Sequence, residues 1–150
     1  AASAAGVDGV LVVDYPPEAA QAQTDCFKSH GLAPIFLIAP TTTPARIASV
    51  SNIASGYLYY VSIKGITGAA TLDVSAVAEK LNLIRSMTDL PLGVGFGISS
   101  PKAAAAVAKL ADAVVIGSKL IQILESNDAQ NRIQAVSDFV AQVRDAIDAR

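Results

Sequence analysis

Gly95, Gly97, Gly117 and Ser118 are the residues of this 150-residue chain whose types and spacing best suit the holding of an anion. They lie in two similar segments, Gly-Val-Gly-Phe-Gly-Ile-Ser-Ser-Pro over 93–101 and Val-Val-Ile-Gly-Ser over 114–118. Each passes from an apolar run into a helical pattern, the first with Ser100 placed as N-cap and Pro101 at the first helical position. Small residues at such a junction let backbone approach a ligand closely. The helix start behind them offers free N–H groups and the positive end of the helix dipole. A phosphate or carboxylate is held in this way without a charged side chain. The formal net charge of −2 agrees, since it supplies no basic field to gather anions from a distance. The same glycines would also serve tight strand–helix packing. Both junctions precede capped helices, which favours one anion cradle built from consecutive strand ends.

Few other residues offer chemistry. Asp14 closes an apolar run, where it could act on a substrate or equally cap the following turn. Lys64 could form a Schiff base with a carbonyl substrate if burial lowered its pKa, making a different aldol lyase, but it stands in a loop of small residues that favours solvation. His30, the only histidine, precedes Gly31 where a helix should end, and a cation there is favoured by the dipole. With one histidine and one cysteine, Cys26, the usual metal-ligand clusters cannot be built and no internal disulfide can form. Tyr57, Tyr59 and Tyr60 share one predicted strand; core packing accounts for two, and one hydroxyl is expected toward a pocket. Lys119 heads a helix and receives no role.

Positioning these residues is the work of a repeated pattern. Apolar runs bounded by turn signals predict strands over 9–14, 34–39, 57–63, 92–96 and 113–116. The run from Val10 to Val13 is continuously apolar, as in a strand buried on both faces. A first helix is expected from the Tyr15-Pro16-Pro17 break to about Ser29, with Ala20, Thr24 and Phe27 inward. A second starts at Pro44 behind a Thr43 cap, with Ile47, Val50 and Ala54 on one face and Gly56 as its stop. A third covers 75–87 with Val77, Leu81 and Ile84 inward, followed by helices over 101–110 and 118–125. The last spans about 129–149, with Ile133, Val136, Val140, Val143 and Ile147 on one stripe. Between the third strand and third helix lies a Gly/Ala/Thr-rich loop, Lys64-Gly65-Ile66-Thr67-Gly68-Ala69-Ala70-Thr71, with the composition of a lid.

Strict alternation of strand and helix predicts an α/β fold of parallel (β/α) units. A doubly wound sheet and a (β/α) barrel compete. The short helix directly after the last strand favours the barrel, whose phosphate sites combine the last two βα loops with a short extra helix. Five strands against a barrel's eight predict one domain over 1–150, the C-terminal five-eighths of a TIM barrel with its strands in chain order. Ala1–Ala5 before Gly6 read as the last turns of a helix, so the chain is expected to begin inside an element. Strands 10–13 and 114–116 would then be bare edges in need of cover. Hydrophobic residues at 52% against 16% charged predict a well-buried globular chain. No apolar run approaches a membrane span, no basic region precedes the Ala-rich start, and aromatics at 5% without tryptophan exclude base-stacking platforms. A membrane or nucleic-acid partner is therefore not expected, and the single cysteine points to a reducing, cytoplasmic setting.

Asp14 in Leu-Val-Val-Asp-Tyr-Pro, the run Gly56-Tyr57-Leu58-Tyr59-Tyr60-Val61-Ser62, the loop Lys64-Gly65-Ile66-Thr67-Gly68, the segment Gly95-Phe96-Gly97-Ile98-Ser99-Ser100-Pro101 and Ile116-Gly117-Ser118 together resemble the tryptophan synthase alpha subunit. The resemblance covers essentially the whole chain in order. It implies a lyase of tryptophan biosynthesis that cleaves indole-3-glycerol phosphate to indole and glyceraldehyde 3-phosphate, and a beta subunit as partner. No cofactor is implied in this chain; pyridoxal phosphate would belong to the beta subunit. By position, Gly68, Gly97, Gly117 and Ser118 would bind the substrate phosphate, and Tyr59, Phe96 and Val115 would line the indole and glycerol pocket. Thr67 in the lid and Asp14 at the mouth would support catalysis without performing it. The family's acid and base, a glutamate and an aspartate from an earlier strand and its loop, match no stretch of this chain, so these residues alone are expected to give no useful turnover. Two alternatives remain beside the Lys64 aldolase. One is another phosphate- or FMN-binding barrel; the other is a non-catalytic phosphate-binding or scaffolding part-barrel.

Overall fold

A computed structural model describes residues 1–13, 16, 19–61, 74–95 and 97–149. Its order is β1 (Gly9–Leu11), α1 (Gln21–Ser29), β2 (Ala33–Ile38), α2 (Pro44–Ile53), β3 (Leu58–Val61), α3 (Val74–Arg85), β4 (Leu92–Gly95), α4 (Pro101–Ala108), β5 (Ala113–Val115), α5 (Ser118–Ser126) and α6 (Arg132–Asp148). The five strands pair in chain order, every pair parallel. Among the described residues the first and last strands are not paired to each other, so the sheet is a part-barrel with β1 and β5 at its edges, as expected.

Local sequence explains most boundaries. Thr43 accepts a hydrogen bond from the Arg46 N–H and Pro44 begins α2; Ser100 accepts from Ala103 and Pro101 begins α4. Gly31 and Gly56 lie at φ +73° and +78°, the left-handed conformation that turns the chain after α1 and α2. The Ala-rich start is a single 3-10 turn, Ser3–Ala5, ended by Gly6.

Parallel registry puts alternate residues of all strands on two faces. Phe36, Ile38, Leu58, Tyr60, Leu92 and Val94 are buried beneath the helices, against Ile47 and Val50 of α2, Val77, Leu81 and Ile84 of α3, and Ala104 and Val107 of α4. Ile35, Leu37, Tyr59, Val61 and Val115 lie on the opposite face and are half-buried. At the amino-terminal end of the sheet, the Asp112 carboxylate accepts from the Leu92 N–H at 2.8 Å and from Arg85 at 3.1 Å, while Arg85 also reaches the Leu110 carbonyl at 2.6 Å. That brace holds β4, β5 and the end of α3 together.

Three expectations are corrected. The apolar run after Gly9 is not buried on both faces: the strand stops at Leu11, and Val12 and Val13 are 37% and 63% exposed. Among the described residues β1 pairs with β2 alone. The first helix begins at Gln21; Ala20, its N-cap, provides no capping side chain, and ahead of it the Ala19 N–H donates to the Pro16 carbonyl. In α6, Ile133 and Val140 are 71% and 48% exposed, whereas Val143 and Ile147 are buried and Phe139 packs beside them. The helix packs mainly on α4 and α5, which need only the narrower stripe spaced by four.

Candidate anion-binding site

β4 and β5 pair with Val94 opposite Val114 and Gly95 opposite Val115, so the two chains leave the sheet side by side at its carboxyl end. Two residues farther on stand Gly97 and Gly117. Gly97 has φ +75°, and among the described residues a Cβ built on it, or on Gly117, would meet nothing within 4 Å. Gly117 is the N-cap of α5, its carbonyl accepting from the Leu120 N–H at 2.9 Å, and no side chain caps that helix. The expectation of two capped helices therefore holds only at α4. The uncapped start of α5, exposed at Gly117 and Ser118, leaves its first N–H groups for an anion.

Gly95 has a different part. A Cβ there would stand 2.6 Å from Tyr59 Cε2 and 2.8 Å from Cζ, and one on Gly93 would be 3.0 Å from Tyr57 Cε2. These two glycines make room for tyrosine rings lying across β4. The packing explanation thus fits Gly93 and Gly95, while at Gly97 and Gly117 no described residue would meet a Cβ. Tyr59 and Val115 flank β4 on the half-buried face, where they can wall a pocket. Burial, and then the neighbouring Tyr57, push the Tyr59 phenol above its ordinary pKa, so it is a neutral hydrogen-bonding group at pH 7.

Asp14, Thr67, Gly68 and Phe96, together with Lys64, lie outside the described residues. A contact missed in the sequence joins α3 to the β2–α2 loop at the same end of the sheet: Lys80 Nζ donates to the Thr42 carbonyl at 2.7 Å, while Thr42 Oγ1 accepts from the Ala39 N–H at 2.9 Å. Their separation of 38 residues leaves no local signal.

His30 accounts for itself locally. Its Nδ1 is 2.8 Å from the Cys26 carbonyl and 3.2 Å from Ser29 Oγ at the exposed end of α1. Among the described residues no group of three metal-ligating side chains occurs, and no helix is long and apolar enough to cross a membrane. A cleft of about 10 Å³ beneath α1, lined by Val10, Ala20, Thr24, Phe27 and Phe36 among others, is apolar and too small for a substrate.

The family model for the tryptophan synthase alpha chain matches residues 1–149. The tryptophan synthase alpha chain of Cupriavidus taiwanensis is 54% identical over 149 residues, covering 99% of this chain and 56% of that protein. The alpha chain of Burkholderia multivorans is 56% identical over 147 residues, covering 98% and 54%. Among solved structures, tryptophan synthase subunit alpha from Legionella pneumophila superposes with a TM-score of 0.85 at 36% identity, over 99% of this chain and 55% of that one. Tryptophan synthase of Mycobacterium tuberculosis gives 0.85 at 31% identity, over 97% and 54%. The chain therefore spans about half the length of the relatives it matches.

Proposed function

Because the chain belongs to the tryptophan synthase alpha chain family, we propose that it forms the phosphate-holding part of a lyase that cleaves indole-3-glycerol phosphate to indole and glyceraldehyde 3-phosphate. The observation that carries this is the parallel exit of β4 and β5 toward Gly97 and Gly117, neither of which has a described residue where a Cβ would stand, beside an uncapped helix start. The substrate's phosphate monoester accepts from backbone N–H groups at Gly97, Gly117 and Ser118, with the Ser118 hydroxyl adding a donor. Gly68 in the lid completes the set. Tyr59, Val115 and Phe96 wall the indole and glycerol.

Cleavage breaks the bond between the indole ring carbon and the glycerol chain. A proton must reach that ring carbon, and another must leave the neighbouring hydroxyl as it becomes the aldehyde. Thr67 and Asp14 support the groups that do this. The acid and base themselves match no stretch of the chain, and each such group contributes about two to four decades of rate. The 150 residues alone therefore bind a phosphate ester and turn over none. The protein works in the cytoplasm beside a beta subunit, and this chain needs no cofactor of its own.

Calorimetric titration with indole propanol phosphate and with inorganic phosphate tests the assignment. Both bind, the indole ester more tightly. Gly117→Asp separates site from fold: aspartate is a favoured N-cap, so stability stays within about 0.5 kcal/mol, while its charge lowers affinity by about tenfold or more. Unchanged affinity in that variant, or no binding of either ligand, rejects the site. Cleavage by the isolated chain at a rate like that of an intact alpha subunit rejects the division of labour.

A further inference from the structure

We propose that Lys80 is a positioning residue: by holding the turn between β2 and α2, it sets the wall of the site that meets the end of the substrate farthest from the phosphate. The inference rests on the anion site proposed above. Helix α3 sends two long side chains to distant backbone carbonyls, one at each end of the sheet. At the amino-terminal end, Arg85 reaches the Leu110 carbonyl at 2.6 Å. At the carboxyl end, Lys80 Nζ donates to the Thr42 carbonyl at 2.7 Å, across 38 residues. Parallel (β/α) units place their sites at the carboxyl ends of the strands, while the opposite end serves stability. The same kind of bond therefore has different consequences at the two ends.

Lys80 shares the stripe of α3 that holds buried Val77, Leu81 and Ile84, and is itself half-buried. Helical side chains lean toward the helix N-terminus, which for α3 is the carboxyl end of the sheet. The turn that Lys80 reaches is closed at three atoms of Thr42. Its N–H donates to the Ala39 carbonyl at 3.0 Å, and its Oγ1 accepts from the Ala39 N–H at 2.9 Å. Its carbonyl lies one residue ahead of Thr43, the N-cap of α2, whose own carbonyl accepts from the Ile47 N–H; the helix thus offers Thr42 no donor, and Lys80 supplies a charged one. The two local bonds fix the shape of the turn, and the Lys80 bond fixes where it stands. Strand order decides what the turn can touch. β2 lies beside β3, with Leu37 opposite Tyr59, and is two strands from β4 and three from β5. At the spacing of paired strands that is about 10 Å and about 14 Å along the sheet. A phosphate held at Gly97 and Gly117 does not span that gap, whereas the far end of an ester lying across Tyr59 does.

The test titrates the full chain and three variants calorimetrically with indole propanol phosphate and with inorganic phosphate. Lys80→Met keeps the apolar stem and removes the donor, Lys80→Arg keeps a charged donor, and Arg85→Met cuts the brace at the opposite end of the sheet. Lys80→Met should weaken the indole ester by about tenfold and inorganic phosphate by less than about twofold. Lys80→Arg should return the ester to within about threefold of the parent. Arg85→Met should lower the unfolding midpoint and shift neither affinity. Without ligand, the Ala39 and Thr42 amides should exchange about tenfold faster in Lys80→Met, with Leu92–Gly95 unchanged. Lys80→Gln, too short for the same span, takes the place of Lys80→Met if that variant does not fold. Equal loss of both ligands, no loss of either, an arginine variant no better than the methionine one, or the same selective loss in Arg85→Met overturns the role of Lys80 and leaves the anion site standing. A parent chain that binds neither ligand rejects the anion site itself, and the role of Lys80 with it.

Discussion

At position 95 the strand has no room for a methyl group, because the Tyr59 ring already occupies it, with Cε2 2.6 Å from where a Cβ would sit. Gly95→Ala is expected to cost about 1–3 kcal/mol by overpacking. In a Tyr59→Ala background the same change should cost less, with a coupling of about 0.5–3 kcal/mol measured by denaturant unfolding of the four proteins in the cycle. Equal costs in both backgrounds would show that the ring does not set the glycine. Gly97 is constrained differently: no described residue would meet a Cβ there but its φ is +75°, so Gly97→Ala should cost about 1 kcal/mol or more through backbone strain. A chemical-denaturation series with no loss at 97 would refute that backbone account. These residues mark what the sequence can and cannot say. A glycine just before a helix start reads as an anion site from local pattern alone. The role of Gly95 depends on a tyrosine 36 residues earlier that reaches it only after β3 and β4 pair.

Element ends were most legible where capping is local. Thr43-Pro44 and Ser100-Pro101 announce α2 and α4, and both caps form. The α6 stripe was only half legible, because a five-residue apolar pattern does not say how much neighbour a helix will have. Its buried part, Val143 and Ile147, is the part that meets another element. The approach to α6 carries a pH signature. Asp128 accepts from the backbone N–H groups of Asn131 at 2.9 Å and Gln130 at 3.0 Å, and from the Asn131 side chain at 3.0 Å. The bonds to Asn131 chiefly hold its carboxyl below the usual aspartate range. A folded-state pKa below the unfolded one means the native state favours the carboxylate. Its stabilisation is present above the unfolded value and fades as pH falls through the folded one. Asp128→Ala should therefore lower Tm at neutral pH, and the gap to the parent should narrow as acid protonates the carboxyl. A gap constant from pH 7 to pH 2 would show that the charge contributes nothing there.

Among the described residues the five strands differ in pairing, and local stability should follow that difference. Leu58, Tyr60, Leu92 and Val94 are buried in the central strands β3 and β4, each of which is paired on both sides. Among the described residues β1 and β5 have one partner each, and β1 gives way to exposed Val12 and Val13. Native-state hydrogen exchange should rank the amides accordingly, with β3 and β4 opening only through global unfolding and the two edge strands through cheaper local openings. The proposed cradle would span a strand of each kind, since Gly97 follows β4 and Gly117 follows edge strand β5. A phosphate ester that grips both turns must suppress local opening of β5 more than that of β4. Saturating indole propanol phosphate should thus slow exchange at Ala113–Val115 by more than at Leu92–Gly95. Equal slowing in the two strands would mean that the ligand stabilises the molecule as a whole and does not clamp the edge strand to its neighbour.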